Sequence, residues 1–452
     1  MTSVPNPFAC VVNLGCRVNR VESDRITADL VRLGCCLVDQ EDADLIVINT
    51  CAVTGEAEAK TRKAVRHALG MPREPLVLVT GCVVNLHAEA LTELSDRVIA
   101  EPSKVDVAAR AAEVLGIAGR PVAAGSGAMG STSGPHDLAG LLGRSRLGIK
   151  VQDGCNNRCS YCIVWKARGP ERSVPVASVL DRVREAEAAG IPEVVLTGVN
   201  LGAYDGEDGC DRHVEIDELL DRILMQTNIG RVRLSSLEPM DVSRRLIERM
   251  AAAGPRVAPF LHLPLQSGCT DTLARMNRPY TAEDFAATVG MIREVLPAAA
   301  ISCDVIVGFP GETDVEFEES RAFCEAMGFM RMHVFRYSAR PGTPAAAAPD
   351  QVPPTVMAER AAILRSVAEK SARRDALARV GSHERAVLEY GNRGTLGCFH
   401  RVVVDGVSEA FSAEGAAPGS CMLDVAIMGM DEHGLLHARP VEACDPHLVP
   451  SS

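Results

Sequence analysis

Short apolar runs alternate with amphipathic segments along residues 1–118. The apolar runs are FACVVNLGC, DLIVINTC and LVLVTGC, and the segments VESDRITADLVRLG and EAEAKTRKAVRHALG, with apolar residues at helical spacing, lie between them. This alternation is typical of a parallel α/β sheet. We therefore predict a flavodoxin-like parallel α/β domain over 1–118.

The composition changes in the next stretch, 119–145. Its sequence, GRPVAAGSGAMGSTSGPHDLAGLLGRS, is rich in Gly, Ser and Ala and has little periodicity. Such a stretch is typical of a connection between domains. We predict that it is an interdomain linker.

A longer alternation of strands and helices occupies 146–375. Its candidate strands are LGIKVQ, EVVLTG, RVRLSS, FLHLPLQ, ISCDVIVGF and MHVFRYS. Six such units predict a partial TIM-like barrel rather than a complete eight-stranded one. Polar residues follow the strands, as in TGVNLG, SSLEP and LQSG, and in barrels of this kind the loops at the carboxyl face build the active site.

The pattern changes again after an amphipathic helix, TVMAERAAILRSVAEKSARRDALARV. The segments AVLEYG, CFHRVVV, SCMLDVAIMGM and GLLHARPV are short apolar runs separated by Gly, Asn and Asp. Runs of this kind are typical of a small antiparallel β-barrel. We predict such a domain over 376–452, so the fold class is α/β with an added C-terminal β-barrel.

Three strands of the first domain end in a cysteine, namely Cys16, Cys51 and Cys82. Ligands of open parallel sheets gather beyond the carboxyl ends of the strands, so we predict that these residues meet and bind a metal group. The alternative is that cysteine is a small apolar residue that is often buried. We apply that interpretation to Cys10, Cys35, Cys36, Cys210, Cys269, Cys303, Cys324, Cys398, Cys421 and Cys444.

The loop GCNNRCSYC holds Cys155, Cys159 and Cys162, separated by three and then two residues. A structural zinc site closes with four ligands, and no second short-spaced Cys or His pair follows. An iron–sulfur cube, in contrast, can be held by three thiolates with its fourth iron open. The spacing favours an open cluster, and a three-Cys zinc site completed by a distant His is the alternative.

Composition narrows the class of protein. A chain of 452 residues indicates two to four domains, and it has neither a run of eighteen apolar residues nor an N-terminal signal segment. We therefore predict a cytoplasmic protein with no membrane contact, in which the sixteen cysteines serve metals or burial rather than disulfides. The net charge is -12, so a nucleic-acid partner would require a local basic surface.

The CxxxCxxC spacing, with Tyr161 before the last cysteine, resembles the signature of the radical S-adenosylmethionine (SAM) enzymes. The resemblance implies that the three cysteines of this loop hold a [4Fe-4S] cluster whose open iron chelates SAM. One electron then cleaves SAM to a 5′-deoxyadenosyl radical, which a barrel must shield from solvent. We predict SAM contacts from Tyr161 and, on the carboxyl rim of the barrel, from Gly198, Asn200, Ser236, Glu238, Gln266 and Ser267.

Motifs along nearly the whole chain are similar to the methylthiotransferases of this superfamily. Among them are NLGCRVN, NTCAVTGEAEAKTRKAVR, TGCVVN, GCNNRCSYCIVWKARGPERS and FRYSARPGTPA. The resemblance implies that Cys16, Cys51 and Cys82 hold a second, auxiliary [4Fe-4S] cluster and that the C-terminal barrel is a TRAM domain, an RNA-binding module. It also implies two uses of SAM, as methyl donor to sulfur and as radical source.

Within that family, NTCAVTGEA and HLPLQSGCTDTLARMNRPYT look most like the branch that methylthiolates C2 of N6-threonylcarbamoyladenosine at position 37 of tRNA. This implies the anticodon loop of tRNA as partner and a flavodoxin or ferredoxin as electron donor. The alternatives are a relative that acts on N6-isopentenyladenosine-37, one that acts on a ribosomal-protein aspartate, and an RNA-binding iron–sulfur protein without turnover.

A basic helix face follows Cys51. Its residues at helical spacing and on the adjacent ridge are Lys60, Lys63, His67, Arg62 and Arg66. This face could contact the phosphates of an anticodon loop, or it could be an ordinary solvated surface. Arg168 and Arg172 lie close in sequence to the second cysteine motif, and this position favours a functional role for them.

Two features depart from the family pattern. Trp165 and Lys166 stand where the family commonly has Ile-x-Pro-Tyr, which leaves the substrate contacts open. The segment from 371 onward carries seven Arg, no Lys and eleven Asp and Glu, so its RNA contact is open as well.

Overall fold

The computed structural model describes residues 6–117, 145–210, 212–407 and 421–441. The predicted linker, 119–145, lies outside these ranges except for Ser145.

The described residues form two compact units. The first unit holds 6–117 together with Asp153–Arg172 and Ser338–Ala347. The second unit holds 145–152, Ser173–Tyr337 and the described residues from Ala348 onward. The four domain ranges proposed from the sequence stay predictions.

The first unit is built on a five-stranded sheet. Its strands are β1 (Phe8–Asn13), β2 (Cys36–Leu37), β3 (Leu45–Thr50), β4 (Leu76–Gly81) and β5 (Val98–Ala100). They lie in the order β2-β1-β3-β4-β5, and every neighbouring pair is parallel. This is the strand order of flavodoxin-like folds, so the predicted N-terminal architecture is confirmed.

Five helices connect these strands: α1 (Arg17–Arg32), α2 (Gly55–Leu69), α3 (Cys82–His87), α4 (Glu89–Thr92) and α5 (Val107–Val114). Thr54 is the N-cap residue of α2, and its side chain accepts a hydrogen bond from the N–H of Ala57. Helix α1 buries Val18, Glu22 and Ile26, which share one face at four-residue spacing. A carboxylate therefore lies on the side of α1 that faces the interior.

The strands between 145 and 337 are β6 (Arg146–Lys150), β7 (Gln152–Asp153), β8 (Arg172–Ser173), β9 (Glu193–Thr197), β10 (Asp205–Glu207), β11 (His213–Glu215), β12 (Arg231–Leu234), β13 (Phe260–His262), β14 (Ala300–Val307) and β15 (Arg331–Arg336). One parallel group is β6, β9 and β12, and a second is β13, β14 and β15. Parallel bridges from β12 to the start of the second group join the two. The six strands predicted for a partial barrel are thus confirmed.

The helices of this region are α6 (Val164–Arg168), α7 (Val176–Ala188), α8 (Ile216–Gln226), α9 (Arg244–Ala252), α10 (Thr270–Arg275), α11 (Ala282–Val295) and α12 (Asp314–Met327). Capping boxes at Thr281 and Thr313 begin α11 and α12. In the second unit, one continuous apolar core includes Val194 and Val232 from the strands and Leu219 and Phe285 from the helices.

The chain continues through α13 (Pro354–Ala378) to β16 (His383–Tyr390), β17 (Arg393–Leu396), β18 (Arg401–Val404), β19 (Met422–Met430) and β20 (Leu436–Pro440). These strands close a barrel in the order β16-β17-β18-β20-β19, which confirms the predicted C-terminal barrel. The prediction that all its pairs are antiparallel is wrong for β18 and β20, which are parallel. Strand β17 was missed because RGTL lacks an apolar run.

A buried ionic group fixes the C-terminal barrel to the other strands of the second unit. Glu193 on β9 pairs with Arg231 and Arg233 on β12, at 2.5 and 2.7 Å, and all three side chains are almost inaccessible to solvent. Arg231 also donates to the carbonyl of Arg385, and Arg233 donates to that of Gly397. The remaining donors of both guanidinium groups thus end on backbone oxygens of the small barrel.

No helix in the described ranges is both long enough and apolar enough to cross a membrane.

Candidate functional site

The three strand-end cysteines of the first unit lie at one edge of its sheet. Strands β1, β3 and β4 are neighbours, with Asn13 opposite Asn49 and Thr50 opposite Gly81. Cys51 and Cys82 therefore follow paired residues on strands about 4.8 Å apart. A Cβ on Gly15, the residue before Cys16, would lie only 2.6 Å from the Cβ of Cys51. Cys16 and Cys82 lie close enough to Cys51 to influence its ionisation, and a metal site at this edge stays a prediction.

Glycines shape the backbone just before two of these cysteines. Gly15 has φ +136° and Gly81 has φ +98°, which favour a residue without a Cβ. A Cβ on Gly81 would also lie 2.5 Å from the carbonyl oxygen of Thr50. Cys16 is the N-cap residue of α1, and Cys82 is the first residue of α3.

The surroundings of these thiols explain why a metal group suits them. Burial raises the pKa of the Cys51 thiol above its ordinary value, and the neighbouring Cys16 and Cys82 raise it further. The N–H of Val53 and the charge of Arg168 lower the pKa of Cys51 in part. The raised pKa favours the protonated thiol at Cys51, whereas a bound metal ion deprotonates a coordinating thiol outright.

Cys155, Cys159 and Cys162 lie in the loop before α6, within the same first unit. The N–H of Cys155 donates to the carbonyl of Gly169 at 3.2 Å, and the N–H of Cys162 donates to that of Cys159 at 3.1 Å. These bonds fold the loop on itself. A Cβ on Gly154 would collide with the carbonyl oxygen of Pro170 at 1.9 Å.

The segment Ser338–Ala347 supports this loop. The N–H of Ala345 donates to the carbonyl of Ser160 at 2.9 Å, and the Lys166 ammonium donates to the carbonyl of Gly342 at 2.7 Å. Arg340 of the same segment pairs with Glu58 of α2. The motif FRYSARPGTPA thus contributes to the first unit through its second half.

Burial raises the pKa of the Cys162 thiol to about 12, and the nearby Cys159 and Cys155 add to this effect. The N–H groups of Val164 and Trp165 act in the opposite direction. As at Cys51, the thiolate form needs a positive charge that iron would provide.

Both cysteine sets fit a [4Fe-4S] cluster by the chemistry of their donors. Buried polar atoms without a hydrogen-bond partner among the described residues accompany them: Asn49 Oδ1 and Thr80 Oγ1 at the sheet edge and Asn157 Nδ2 in the loop. In the part of the chain that the structure describes, no group of three or more His, Cys, Asp or Glu is arranged around a single metal ion.

Two of the predicted SAM contacts follow β9 in the second unit. The side chain of Gln152 accepts hydrogen bonds from the N–H groups of Val199 and Asn200, at 2.9 and 3.0 Å. A Cβ on Gly198 would lie 2.9 Å from the same Gln152 oxygen, so a larger residue would displace it. The Oδ1 atom of Asn200 is buried and has no hydrogen-bond partner in the described structure.

Four more predicted contacts follow β12 and β13. Ser236 is half-buried and its carbonyl accepts from the N–H of Leu201, whereas Glu238 pairs with the buried Arg278. Gln266 has φ +68° and its backbone bonds to β14, and the hydroxyl of Ser267 accepts from the N–H of Cys269. Ser267 is fully buried. These residues lie at the carboxyl ends of neighbouring strands, and their roles, like that of the half-buried Tyr161, stay predictions.

The remaining cysteines vary in exposure. The buried ones are Cys35, Cys269, Cys303, Cys324 and Cys398, and Cys10 and Cys421 are partly buried. Cys36 and Cys210 are exposed, so the interpretation as buried apolar residues is wrong for these two. Cys444 lies outside the described residues.

The sequence interpretation missed the polar residues that surround the two cysteine sets. Asn19, Glu22 and Lys104 form a buried group with Arg168, described below. The available signal was Glu22 itself, because it falls between Val18 and Ile26 on the apolar face of α1. Predicted basic residues on α2, by contrast, are exposed as expected: Lys60, Arg62, Lys63, Arg66 and His67.

Two family models match parts of the chain. Residues 149–324 match the Radical SAM superfamily, and residues 9–100 match the Uncharacterized protein family UPF0004. The structure is similar to that of the radical S-adenosylmethionine methyltransferase TsrM from Kitasatospora setae with cobalamin and a [4Fe-4S] cluster bound. The TM-score is 0.53 at 16% identity, over 76% of this chain and 77% of that one. The match to residues 149–324 thus identifies the class of protein as a radical SAM enzyme, and the similarity to TsrM shows the fold.

Curated relatives narrow the class further. The chain is 33% identical to a threonylcarbamoyladenosine tRNA methylthiotransferase MtaB of Chlamydia pneumoniae, over 94% of this chain and 96% of the relative. It is also 33% identical to the protein of that name from Treponema pallidum, over 84% and 88%. A tRNA-2-methylthio-N(6)-dimethylallyladenosine synthase of Novosphingobium aromaticivorans is 35% identical, over 77% and 79%. The chain belongs to the radical SAM methylthiotransferase family.

Proposed function

We propose that this protein methylthiolates C2 of N6-threonylcarbamoyladenosine at position 37 of tRNA and uses two [4Fe-4S] clusters. The observation that carries the proposal is the presence, within one compact unit, of two separate sets of three cysteines. Cys16, Cys51 and Cys82 would hold the auxiliary cluster, and Cys155, Cys159 and Cys162 the radical cluster. The names of the relatives support the substrate.

When bound, the clusters and SAM supply the 5′-deoxyadenosyl radical and the methylated sulfur. The part of the chain is to hold these groups and to orient SAM. The Oδ1 atom of Asn200 is a free acceptor in a buried position, suited to an ammonium or hydroxyl of SAM. Gln152 fixes this residue by accepting from its N–H. An external one-electron donor, flavodoxin or ferredoxin, is part of the proposal because SAM cleavage consumes an electron.

The basic face of α2 supports contact with the anticodon loop. Arg62, Lys63 and Arg66 are exposed and form no ion pair with other described residues, so their charges are available to phosphates. The described part of the C-terminal barrel offers fewer available positive charges, because Arg385 is paired with Asp424 and Arg401 with Glu389. We therefore propose that α2 makes the main contact with RNA. The cytoplasmic location of the protein stays a prediction.

A second candidate substrate is N6-isopentenyladenosine-37. The relative from Novosphingobium aromaticivorans, whose name refers to a dimethylallyladenosine, supports it at a similar level of identity. Both substrates would share the same cysteines, so the cluster residues do not separate the two candidates.

The deciding experiment is mass spectrometry of tRNA nucleosides from a deletion strain. We expect the 2-methylthio form of threonylcarbamoyladenosine to disappear and to return with the wild-type gene but not with Cys155→Ala. Loss of the 2-methylthio form of isopentenyladenosine instead would support the second candidate. If both forms persist while a ribosomal-protein aspartate loses its methylthio group, or nothing changes, the proposal is wrong.

Cluster content is tested separately on anaerobically purified protein. We expect about eight irons and eight sulfides per chain, and about half of each after Cys16, Cys51 and Cys82 are all changed to alanine. This variant should still form 5′-deoxyadenosine from SAM but no methylthiolated tRNA. A wild-type protein with a single cluster would refute the two-cluster proposal, and a reconstituted protein that never cleaves SAM would favour the RNA-binding alternative.

A further inference from the structure

A buried ionic network in the first unit centres on Arg168, the last residue of α6. The side chains of Arg168 and Glu22 are each only 6% exposed. Both terminal nitrogens of Arg168 bind Glu22: Nη1 lies 3.0 Å from Oε1 and Nη2 lies 3.1 Å from Oε2. Lys104 forms a further ion pair with Glu22. A paired geometry of this kind requires the planar fork of an arginine.

One branch of the network leads to the sheet edge that holds Cys16 and Cys51. The Nη2 atom of Arg168 donates to Asn19 Oδ1 at 2.6 Å. The Nδ2 atom of Asn19 in turn donates to the carbonyls of Thr50, at 2.8 Å, and Leu14, at 3.1 Å. Thr50 directly precedes Cys51, and Leu14 is two residues before Cys16. Asn19 therefore fixes the backbone that leads into both cysteines.

The other branch leads to the loop of Cys155. The Nη1 atom of Arg168 donates to Asp153 Oδ1 at 2.9 Å, and the same oxygen accepts from the N–H of Gly154. Gly169, which follows Arg168, accepts from the N–H of Cys155. Arg168 is thus one side chain away from the backbone at the start of each cysteine set.

The network also places positive charge near Cys82. The pKa of Arg168 rises well above its ordinary value although burial opposes this, because Glu22, Cys82 and Asp153 all favour the charged form. Burial and the nearby Arg168 lower the pKa of Lys104, while Glu22 and Cys82 counteract them. In a water-poor environment such charges act strongly on a neighbouring group.

We propose that Arg168 is a positioning residue that holds the loop of Cys155, Cys159 and Cys162 against the sheet edge of Cys16, Cys51 and Cys82 and provides a buried positive charge at that edge. The inference rests on the two-cluster function proposed above. The radical that SAM would supply at one cysteine set would remove hydrogen from adenine C2, and the sulfur held at the other set would bond to the same carbon. A small displacement between the sets should therefore reduce product formation steeply. The positive charge would also stabilise the reduced, more negative form of the auxiliary cluster.

The test uses Arg168→Met, which removes the charge and the fork, and Arg168→Lys, which keeps only the charge. The matched control is Arg73→Met in the same unit, where Arg73 pairs with the partly exposed Asp44 at the start of β3. Three quantities are measured: iron and sulfide content, the midpoint potential of each cluster by electron paramagnetic resonance, and methylthiolated tRNA formed per 5′-deoxyadenosine.

We expect both Arg168 variants to cleave SAM but to form at least about tenfold less product per 5′-deoxyadenosine than the wild type. In Arg168→Met the midpoint potential of the auxiliary cluster should fall, or that cluster should be lost. In Arg168→Lys the potential should stay close to that of the wild type. If Arg168→Met matches Arg73→Met in cluster content, potential and product ratio, the inference is wrong.

Hydrogen exchange of the metal-free proteins gives a readout that does not depend on the clusters. The N–H groups of Gly154 and Cys155 should exchange faster in both Arg168 variants than in the wild type or in Arg73→Met. Unchanged exchange in the Arg168 variants would overturn the positioning role. A wild-type protein with one cluster would refute the proposed function alone, because exchange still reports on whether Arg168 holds the loop.

Discussion

Two buried ionic networks serve different purposes in this molecule. In the second unit, Glu193 neutralises Arg231 and Arg233, and the other donors of these arginines end on backbone carbonyls of the C-terminal barrel. In the first unit, Arg168 shares its donors among Glu22, Asp153 and Asn19. The Glu193 network is closed and joins two parts of a fold, whereas the Arg168 network leads to the backbone just before Cys16, Cys51 and Cys155.

The comparison shows why burial of a charge does not by itself indicate function. Both networks exclude water, and both would be costly to break. What differs is where the side chains lead. The rings of Phe260 and Phe399 cover Arg233: its Cζ atom lies 5.5 Å from the ring centroid of Phe260 and 4.8 Å from that of Phe399. No ligand can therefore approach this guanidinium group. Arg168 lies next to the loop of Cys155, Cys159 and Cys162, in which burial raises the pKa of the Cys162 thiol.

The largest expected effect is on stability and comes from Glu193→Gln. This change leaves two buried guanidinium groups without the only carboxylate that they contact in the described structure. We expect the free energy of unfolding to fall by about 3–5 kcal/mol, measured by urea denaturation of the metal-free protein. The control is Glu318→Gln, an exposed residue on α12, which should change little. A loss below about 1 kcal/mol for Glu193→Gln would contradict the structural role.

The pH dependence of this effect is the second test. Burial disfavours the charged form of Glu193, but Arg233 and Arg231 outweigh it and lower the pKa to about 2. A depressed pKa contributes stability that is complete above the ordinary value, about 4.5, and is lost as the pH falls toward 2. The difference in unfolding free energy between wild type and Glu193→Gln should therefore be smaller at about pH 3 than at about pH 7. An equal difference at both pH values would show that the charge of the Glu193 carboxylate is not the source of the lost stability.

Glu22→Gln should destabilise the metal-free protein less than Glu193→Gln does. Arg168 keeps its contacts with Asp153 and Asn19, and Lys104 keeps its contact with Asn19 at 3.3 Å. We expect a loss of about 1–3 kcal/mol in urea denaturation. If Glu22→Gln proves the more costly change, the Arg168 network contributes more to stability than the Glu193 network does. The proposed difference in purpose between the two networks would then be wrong.

The smallest effect belongs to an exposed ion pair on α2. Lys60 and Glu56 lie 2.8 Å apart at i,i+4 spacing, and both side chains are more than 60% exposed. We expect Lys60→Ala to change the free energy of unfolding by less than about 0.5 kcal/mol. A larger change would mean that burial is not what distinguishes the two networks from ordinary surface pairs.

The structure bears out much of the sequence-based fold. The strands of the flavodoxin-like sheet and of the partial barrel follow from apolar runs of four to six residues, because a buried strand must be apolar on both faces. Strand β17 and the parallel pairing of β18 with β20 did not follow. A short run such as RGTL carries little apolar signal, and the direction of pairing depends on how the barrel closes.

At the cysteine sites, too, some features follow from the sequence and others do not. Strand-end positions predict that Cys16, Cys51 and Cys82 gather at one edge, since neighbouring parallel strands end there, and their role as metal ligands stays a prediction. The partners of Glu238 and Arg168 were not accessible from the sequence. Glu238 is predicted from the sequence as a SAM contact, and in the structure it pairs with Arg278, 40 residues away.

The identity and spacing of the six cysteines, the alternation of strands and helices, and the family all follow from the amino-acid sequence. These features are local, because spacing and periodicity are read within a few residues of the chain. The pairing of Glu22 with Arg168, which are separated by 146 positions, becomes visible in the folded chain alone, as does the addition of Asp153 and Asn19 to the group. A buried charge takes whichever opposite charge the packed chain brings to it, and that depends on the order of the strands rather than on any local pattern.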